Sequence, residues 1–189
     1  MVADDEAAQG KAAAEPFFPG PGLGGHCIPV DPSYLSWKLR RLTYQARFID
    51  LADHINQHMP EYVVALAADL LNDQAKSVRG ACILILGVAY KPDIGDLRES
   101  PALDLIALLR RRGAEVQYAD PHVPGPIDVE GGALSAVEVT RELLCAQDLV
   151  LIATPHRAFN WDMLTQHGGE VLDTRGWRQG ERPPTWHML

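Results

Sequence analysis

The sequence contains little cysteine: Cys27, Cys82 and Cys145 are the three cysteines among 189 residues. No two of them form a CxxC pair, and no set of cysteines and histidines has the spacing of zinc ligands. A disulfide framework is therefore excluded and no metal site is expected. The cysteine usage favours a reducing compartment, which predicts a cytoplasmic location.

Basic charge and long apolar runs are also missing. The net charge is −8, so no basic surface for nucleic acid or an anionic membrane is expected. No apolar run approaches the ~18 residues that span a bilayer. The amino terminus, MVADDEAAQGKAAAE, is acidic and has no apolar core, which excludes a secretion signal and predicts a disordered tail over residues 1–14.

The dinucleotide fingerprint GxGxxG is absent from the turn after the first buried strand, where a dinucleotide fold would carry it. The first turn after a buried strand is instead GVAYKP, residues 87–92. Asp120 ends the second predicted strand, where an acidic residue would bind the ribose of a dinucleotide. Because the fingerprint is absent, we interpret Asp120 as a turn residue.

Short apolar segments alternate with helical patterns over the second half of the chain. Strands are predicted at 81–86, 115–119, 148–153 and 170–173, and helices at 101–112, 137–146 and 159–166, with a loop at 123–132 and no pattern after Gly176. Ser100 and Pro101 form a helix start, and the basic cluster Arg110–Arg112 before Gly113 suits a helix end. This alternation predicts an α/β, Rossmann-like doubly wound sheet, mainly parallel.

Residues 32–77 have an almost continuous helical pattern. We expect a helix start at Asp31 and Pro32, and at least two helices broken or kinked near Tyr44 and at Pro60. The segment is too thin to enclose a core of its own. Its apolar stripe should therefore pack against another domain or a second subunit, or, as the alternative, within the chain.

A glycine- and proline-rich loop precedes the first cysteine. Glycine permits close approach of a backbone to a ligand, and Pro19 and Pro21 restrict the intervening φ angles. Cys27 could act as a nucleophile, and Asp31 could orient water or accept a proton. The alternative is a buried, inert Cys27 beside a turn. His26 gives no indication of a Cys-His dyad, and Cys82 and Cys145 are predicted to be core residues.

Six polar residues follow predicted strand ends and can line one crevice at the carboxyl edge of the sheet. They are Tyr90, Lys91, Arg98, Thr154, His156 and Arg175. Lys91 and Arg98 are two cations in one loop, which suits an anionic nucleotide.

Two segments resemble one protein family. The run GPGLGGHCIPVDP, residues 20–32, resembles the cysteine loop of the UDP-glucose/GDP-mannose dehydrogenase family. The run LGVAYKPDIGDLRESPAL, residues 86–103, resembles its carboxy-terminal signature. His26 directly before Cys27 is most similar to the branch that acts on UDP-N-acetylhexosamines. The resemblance covers residues 16–175, about the second half of a family member.

The resemblance implies a division of the chain and a set of ligands. After the tail at 1–14 come a cysteine loop at 15–31, a central helical dimerisation segment at 32–77 and a UDP-sugar-binding Rossmann-like domain at 78–189. The implied ligands are a UDP-sugar and NAD, and the implied assembly is a homodimer through the central helices.

The resemblance also implies roles for individual residues. Cys27 and Asp31 match catalytic positions. Substrate-binding positions match Phe18, Pro19, Gly20, Pro21, Gly22, Leu23, Gly24, Tyr90, Lys91 and Arg175. NAD-binding positions match Cys27, Ile28, Pro29, Val30 and Arg98.

The implied reaction is oxidation of the C6 alcohol of a UDP-sugar to a carboxylate through a Cys27 thioester, with two NAD⁺. The family's amino-terminal half, which holds most of the NAD site, is not represented, so we expect no turnover by this chain alone. Two alternatives stay open: a non-catalytic sugar-nucleotide-binding or dimerisation module, and an unrelated α/β cysteine hydrolase or transferase.

Overall fold

A five-stranded parallel sheet organises the chain in the computed structural model, which describes residues 19–177 and 183–189. The expected tail at 1–14 and Phe18 lie outside the described residues. The strands are β1 Cys82–Leu86, β2 Glu115–Ala119, β5 Leu149–Ile152, β6 Val171–Asp173 and β7 Trp186–Met188, in the order β2-β1-β5-β6-β7. The hairpin β3 Ile127–Val129 and β4 Gly132–Leu134 lies apart from it. The predicted α/β class with a parallel sheet is confirmed.

The helices are α1 Cys27–Arg40, α2 Arg47–Asp73, α3 Pro101–Arg111, α4 Arg141–Cys145 and α5 Trp161–His167. The central strands β1 and β5 are buried almost throughout, as parallel strands covered by helices on both faces should be. Among residues 19–177 and 183–189, none of the helices combines the length and apolar character that a membrane span requires.

Helix α3 follows its sequence signals closely. Ser100 caps the helix by accepting a hydrogen bond from the backbone N–H of Ala102, and Pro101 is the first helical residue. The helix ends before Gly113, which has a φ of 88°. Arg110 donates hydrogen bonds to the carbonyls of Gly131 and Gly132, so the structural interpretation of the basic cluster is confirmed.

Helix α2 has two halves with different surroundings. In its carboxy-terminal half, Val63, Val64, Ala67 and Leu71 are fully buried in the core that also contains α3 and β1. In its amino-terminal half, an apolar stripe that includes Phe48 is exposed. Intrachain packing therefore accounts for only the second half of the predicted arm. Of the expected break or kink at Pro60, the break is wrong, because α2 continues through Pro60, and the kink stays a prediction.

The start of α1 differs from the expectation. The helix begins at Cys27, and Asp31 and Pro32 lie inside it. Pro29 falls in the first turn, where backbone N–H groups have no partner within the helix, so proline costs little there. Cys27 is consequently the first helical residue.

Three further expectations require correction. The loop at 123–132 contains β3 and part of the hairpin, because Ile127 and Val129 bury alternate side chains. The predicted helix at 137–146 shortens to α4, which begins after its cap, Thr140. The patternless carboxy terminus contributes the edge strand β7, which pairs with β6.

Replacing a buried leucine should destabilise the protein more than replacing an exposed one. Leu105 on α3 is 0% exposed and Leu42 is 69% exposed. We expect Leu105→Ala to lower the free energy of unfolding by about 2 to 5 kcal/mol through the cavity it leaves, and Leu42→Ala to change it by less than about 0.5 kcal/mol. Urea denaturation followed by circular dichroism measures both. Equal losses from the two variants would contradict the assigned core.

Candidate functional site

The glycine-rich loop, residues 19–26, packs directly against the loop that joins β1 to α3. The backbone N–H of Gly25 donates a hydrogen bond to the carbonyl of Arg98 at 2.9 Å. A Cβ on Gly24 would lie 2.5 Å from the Glu99 carbonyl oxygen and 2.6 Å from the Cβ of Tyr90. The two backbones are therefore too close for any side chain, and glycine is required there.

Two other parts of the chain also hold this loop. The backbone N–H of Leu23 donates to the Oδ1 atom of Asn56 on α2 at 2.7 Å. A Cβ on Gly20 would lie 2.8 Å from the guanidinium carbon of Arg175, which follows β6. The loop thus bridges the central helix and two strand ends of the sheet.

Cys27 and Asp31 lie one turn apart on α1. Positions i and i+4 share a helix face, so the helix start at Cys27 brings the thiol and the carboxylate to one side. Both residues are exposed, which argues against the buried, inert alternative for Cys27. The first turn of a helix presents unpaired N–H groups that stabilise negative charge.

The backbone of Arg98 contacts the glycine-rich loop two residues before Cys27, because its carbonyl accepts the N–H of Gly25. The pKa of Arg98 is raised, first by its hydrogen bonds to Asp96 and further by the nearby Tyr90 and Cys27. Its Nη2 atom lies 2.6 Å from Oδ2 of Asp96, and its Nε atom also donates to that carboxylate. The guanidinium of Arg98 is thus bonded to Asp96, while its carbonyl holds the loop that precedes Cys27.

Tyr90 contacts the glycine-rich loop, and Lys91 is the next residue. The ring of Tyr90 contacts Gly25, where a Cβ would be 2.9 Å from Cε2. The backbone N–H of Tyr90 donates to the carbonyl of Asp96 at 3.0 Å, which closes the turn. Lys91 is exposed. Their predicted substrate roles stay predictions, although both residues lie at the predicted edge of the sheet.

Arg175 is more enclosed than a surface cation. Its Nε atom donates to the carbonyl of Ala153 at 2.9 Å, and burial lowers the pKa of its guanidinium. The guanidinium also contacts the backbone of Gly20. Its predicted substrate contact stays a prediction, and the structure adds that Arg175 supports the glycine-rich loop.

Thr154 and His156 do not line the crevice as expected. Thr154 is 2% exposed and His156 is 0% exposed, so neither side chain is open to a ligand. The Oγ1 atom of Thr154 donates to the carbonyl of Ala89 at 2.6 Å. Both side chains follow β5 and face the β1–α3 loop, where they bond to protein groups.

Asp120 is a buried hydrogen-bond acceptor at the end of β2. Its carboxylate accepts the backbone N–H groups of Val88, Ala89 and His122, and also bonds to Nε2 of His156 at 3.0 Å. Burial acts to raise the pKa of Asp120, but the hydrogen bonds from His156 and the three N–H groups outweigh it and lower the pKa. Asp120 does more than the predicted turn residue would, because its carboxylate bonds to residues that follow β1, β2 and β5.

Asp93, His122 and His156 come close enough to suggest a metal site, with ligand atoms within 4.8 Å of one another. However, Nδ1 of His156 accepts the backbone N–H of Asp93 at 2.9 Å, and Nε2 faces Asp120. A metal ion would have to displace one of these bonds. We therefore interpret the group as a hydrogen-bond network, in which the neutral ring of His156 carries its proton on Nε2.

Sequence reasoning missed Asn56 and underestimated Asp120 and His156. Asn56 lies in the middle of a helical pattern and gave no signal, because its partner is 33 residues away. Polar residues directly after apolar strands were the available signal for the other two. The expected core position of Cys145 is wrong, because it is exposed, and Cys82 is only partly buried.

A glycine substitution tests the close contact of the two loops. Gly24→Ala should displace residues 19–26 and lower the free energy of unfolding by about 1 to 3 kcal/mol, because the new methyl group overlaps Glu99 and Tyr90. Gly125→Ala is the matched control, since nothing lies within 4 Å of its Cβ position. Thermal unfolding and the rate of Cys27 alkylation report the change. Two variants with identical behaviour would show that the loops do not touch.

Comparison with known proteins gives the family. Residues 84–178 match the UDP-binding domain of the UDP-glucose/GDP-mannose dehydrogenase family, and residues 2–58 match its central domain. The chain is 36% identical to the UDP-N-acetyl-D-mannosamine dehydrogenase of Methanococcus maripaludis over 75% of its length, and 34% identical to that of Escherichia coli over 85%. It spans 30% and 39% of those relatives.

A solved structure agrees with this result. The UDP-D-ManNAc dehydrogenase of Pyrococcus horikoshii superposes with a TM-score of 0.73 and 27% identity, covering 89% of this chain and 39% of that one. The central-domain match includes the cysteine loop, and the UDP-binding-domain match includes the β1–α3 loop. These two segments contact each other in the structure. The chain belongs to the UDP-glucose/GDP-mannose dehydrogenase family.

Proposed function

We propose that this chain is the sugar-nucleotide-binding, cysteine-bearing part of an NAD-dependent UDP-sugar 6-dehydrogenase. The observation that carries the proposal is the contact of the cysteine loop with the β1–α3 loop, through the 2.9 Å hydrogen bond from Gly25 to Arg98. That contact brings a thiol, a cation and a glycine-rich backbone to the carboxyl edge of a parallel sheet, where such folds bind ligands.

The anionic diphosphate of the substrate would interact with the β1–α3 loop. Lys91 and Arg98 are exposed there, and the backbone of residues 19–24 would wrap the sugar nucleotide. Arg175, enclosed beneath Gly20, would contribute positive charge from below. The relatives named UDP-N-acetyl-D-mannosamine dehydrogenase support a UDP-N-acetylhexosamine as the substrate.

In the proposed chemistry, Cys27 acts first, in forming a thioester, and Asp31 acts afterwards, in its hydrolysis. The C6 alcohol loses a hydride and a proton to become an aldehyde, and the Cys27 thiolate adds to its carbonyl carbon. Loss of a second hydride from that carbon converts the thiohemiacetal into a thioester. Water then cleaves the carbon–sulfur bond, which releases the carboxylate and the thiol, and Asp31 orients this water or accepts its proton.

NAD would supply the hydride acceptor, one molecule for each oxidation. The described residues would contribute only a small surface at one side of the NAD site. Ile28 and Val30 are each 42% exposed on the first turn of α1, and with Cys27, Pro29 and Arg98 they form the surface that would face the cofactor. Asp120, the residue that a dinucleotide fold would use for ribose, is occupied by backbone N–H groups. Most of the NAD site would therefore come from protein outside this sequence.

The two alternatives differ in what they require of Cys27. A binding or dimerisation module would bind the sugar nucleotide without any need for the thiol. A cysteine hydrolase would need an activated thiol but no nucleotide. The exposed thiol beside Arg98 and the family membership favour the dehydrogenase. The free cysteines suit a reducing compartment such as the cytoplasm.

We also propose that the chain forms a homodimer through its central helices. Many of the exposed large apolar side chains lie on α1 and on the amino-terminal half of α2, among them Tyr34, Leu35, Phe48, Leu51 and Ile55. Phe48 is 89% exposed, and contiguous apolar surface of this kind marks an interaction site. A second copy would bury it.

Cysteine labelling tests the proposed site. We expect iodoacetamide to alkylate Cys27, and saturating UDP-N-acetylglucosamine to slow that alkylation by about tenfold, because the bound sugar covers the thiol. Mass spectrometry of tryptic peptides measures each cysteine separately. The exposed Cys145 is the internal control, and its labelling should not respond to the nucleotide. Labelling of Cys27 that is indifferent to UDP-N-acetylglucosamine would favour the hydrolase and contradict the proposal.

An NADH absorbance assay under the same conditions separates binding from turnover. We expect nucleotide protection of Cys27 without NADH formation, because the chain holds only an edge of the cofactor site. Robust turnover by the purified chain would contradict that part of the proposal.

A charge substitution tests the dimer. Phe48→Glu should convert the dimer into a monomer, because it introduces a charge that the buried interface would have to desolvate. Sedimentation velocity measures the change. Met188→Glu on strand β7 is the control and should leave the dimer intact. A monomeric unsubstituted chain at micromolar concentration would refute the proposed assembly.

A further inference from the structure

The β1–α3 loop adopts a conformation that the chain does not favour locally. Asp93 has a φ of 62° and Glu99 a φ of 49°, so two residues with side chains take left-handed backbone conformations within seven positions. Such conformations persist only where the surrounding structure enforces them, and they concentrate at functional sites. Something must therefore hold this loop.

Buried side chains bond to every backbone N–H and C=O group of Val88 and Ala89, near the start of the loop. The N–H groups of Val88 and Ala89 donate to Asp120 at 2.8 and 3.1 Å. The carbonyl of Val88 accepts from Ser100 Oγ at 2.7 Å, and that of Ala89 accepts from Thr154 Oγ1 at 2.6 Å. We call Ser100, Asp120, Thr154 and His156 the buried brace.

His156 extends the brace to the strained part of the loop. Its Nε2 atom bonds to Asp120, and its Nδ1 atom accepts the backbone N–H of Asp93. The ring of His156 therefore connects the Asp120 carboxylate, which bonds to residues 88 and 89, to Asp93, whose backbone is left-handed. Asp93 is also held from outside, because its carboxylate accepts two hydrogen bonds from Arg157.

The brace is not a ligand site of its own. The side chains of Asp120 and His156 are both 0% exposed, and both ring nitrogens of His156 have protein partners. Burying a carboxylate is costly unless its hydrogen bonds are complete, whereas apolar side chains could fill the same volume. The structure therefore uses a polar connection where geometry, and not burial alone, has to be specified.

We infer that the buried brace is a positioning device that sets the Tyr90–Lys91 turn, and through Arg98 and Glu99 the cysteine loop, for binding of a nucleoside diphosphate. The inference rests on the proposed function for the identity of the ligand. The connection is direct: the carbonyls of Arg98 and Glu99 contact Gly25 and Gly24, and Ser100 is the next residue. The brace residues would therefore affect binding only by positioning the β1–α3 loop and the cysteine loop, without contacting the ligand themselves.

The main test uses Asp120→Asn, with UDP as the probe. An asparagine has one acceptor oxygen and an NH₂ group, so it cannot accept all four donors. We expect the dissociation constant for UDP, measured by isothermal titration calorimetry, to rise by about tenfold. Amide hydrogen exchange should accelerate in peptides that cover residues 88–99 but not in β5.

Asp148→Asn is the matched control. Asp148 also accepts a backbone N–H, that of Cys82 at 2.8 Å, and pairs with Lys76 at 2.5 Å, but it lies at the amino edge of the same sheet. We expect it to lower the melting temperature while UDP affinity and exchange of residues 88–99 stay unchanged. A purely structural role for Asp120 would make the two variants behave alike.

Thr154→Val is a milder second variant in case Asp120→Asn fails to fold. It keeps the side-chain shape and removes only the hydrogen bond to Ala89, so we expect a rise of about threefold in the UDP dissociation constant. Thr154→Ser restores the hydroxyl and should restore the affinity. UDP affinity that stays within twofold of the unsubstituted chain in Thr154→Val and any folded Asp120→Asn would overturn the inference.

The exchange measurement separates this inference from the proposed function. If the unsubstituted chain does not bind UDP, the proposed function fails, while faster exchange confined to residues 88–99 in the brace variants would still support positioning. Unchanged exchange in that segment would overturn the brace whether or not UDP binds.

Discussion

The close contact of two backbones is the constraint on which the site depends. Gly24 lies against the backbone of Glu99 and the Cβ of Tyr90, and Gly25 bonds to the carbonyl of Arg98 and packs on the ring of Tyr90. This contact joins a segment at the beginning of the described chain to the first loop of the parallel sheet. It also explains why glycine is needed there, since a methyl group at position 24 would overlap two neighbours.

Residues at the carboxyl edge of the sheet hold one of the two backbones in that contact, the β1–α3 loop. β1, β2 and β5 are adjacent in the sheet, so the residues that follow them meet at one edge. Asp120 after β2 and His156 after β5 use this proximity to hold the loop after β1. Asp120 and His156 follow strand ends, where doubly wound sheets usually bind ligands, but here both side chains are buried. In the proposed site, the exposed residues of the β1–α3 loop would contact the ligand.

The two halves of helix α2 pack against different parts of the structure. The second half of α2 completes the core with Val63, Val64, Ala67 and Leu71. Its first half supports the glycine-rich loop through Asn56 and exposes an apolar stripe that includes Phe48. One helix therefore connects the core, the site and the proposed subunit interface, which is possible because α2 runs from Arg47 to Asp73 without a break at Pro60.

The amino-acid sequence by itself determined the α/β class, the central strands, the capped helix α3 and the two segments that identify the family. These depend on apolar periodicity, caps and glycine spacing, which act over a few residues. Only the tertiary structure decided that Cys27 opens α1, that Asn56 and Arg175 support the glycine-rich loop, and that Asp120 and His156 are buried. The support of the glycine-rich loop and the burial of Asp120 and His156 depend on contacts between residues more than 30 positions apart in the chain, as between Val88 and Asp120. Local patterns carry no information about such pairs.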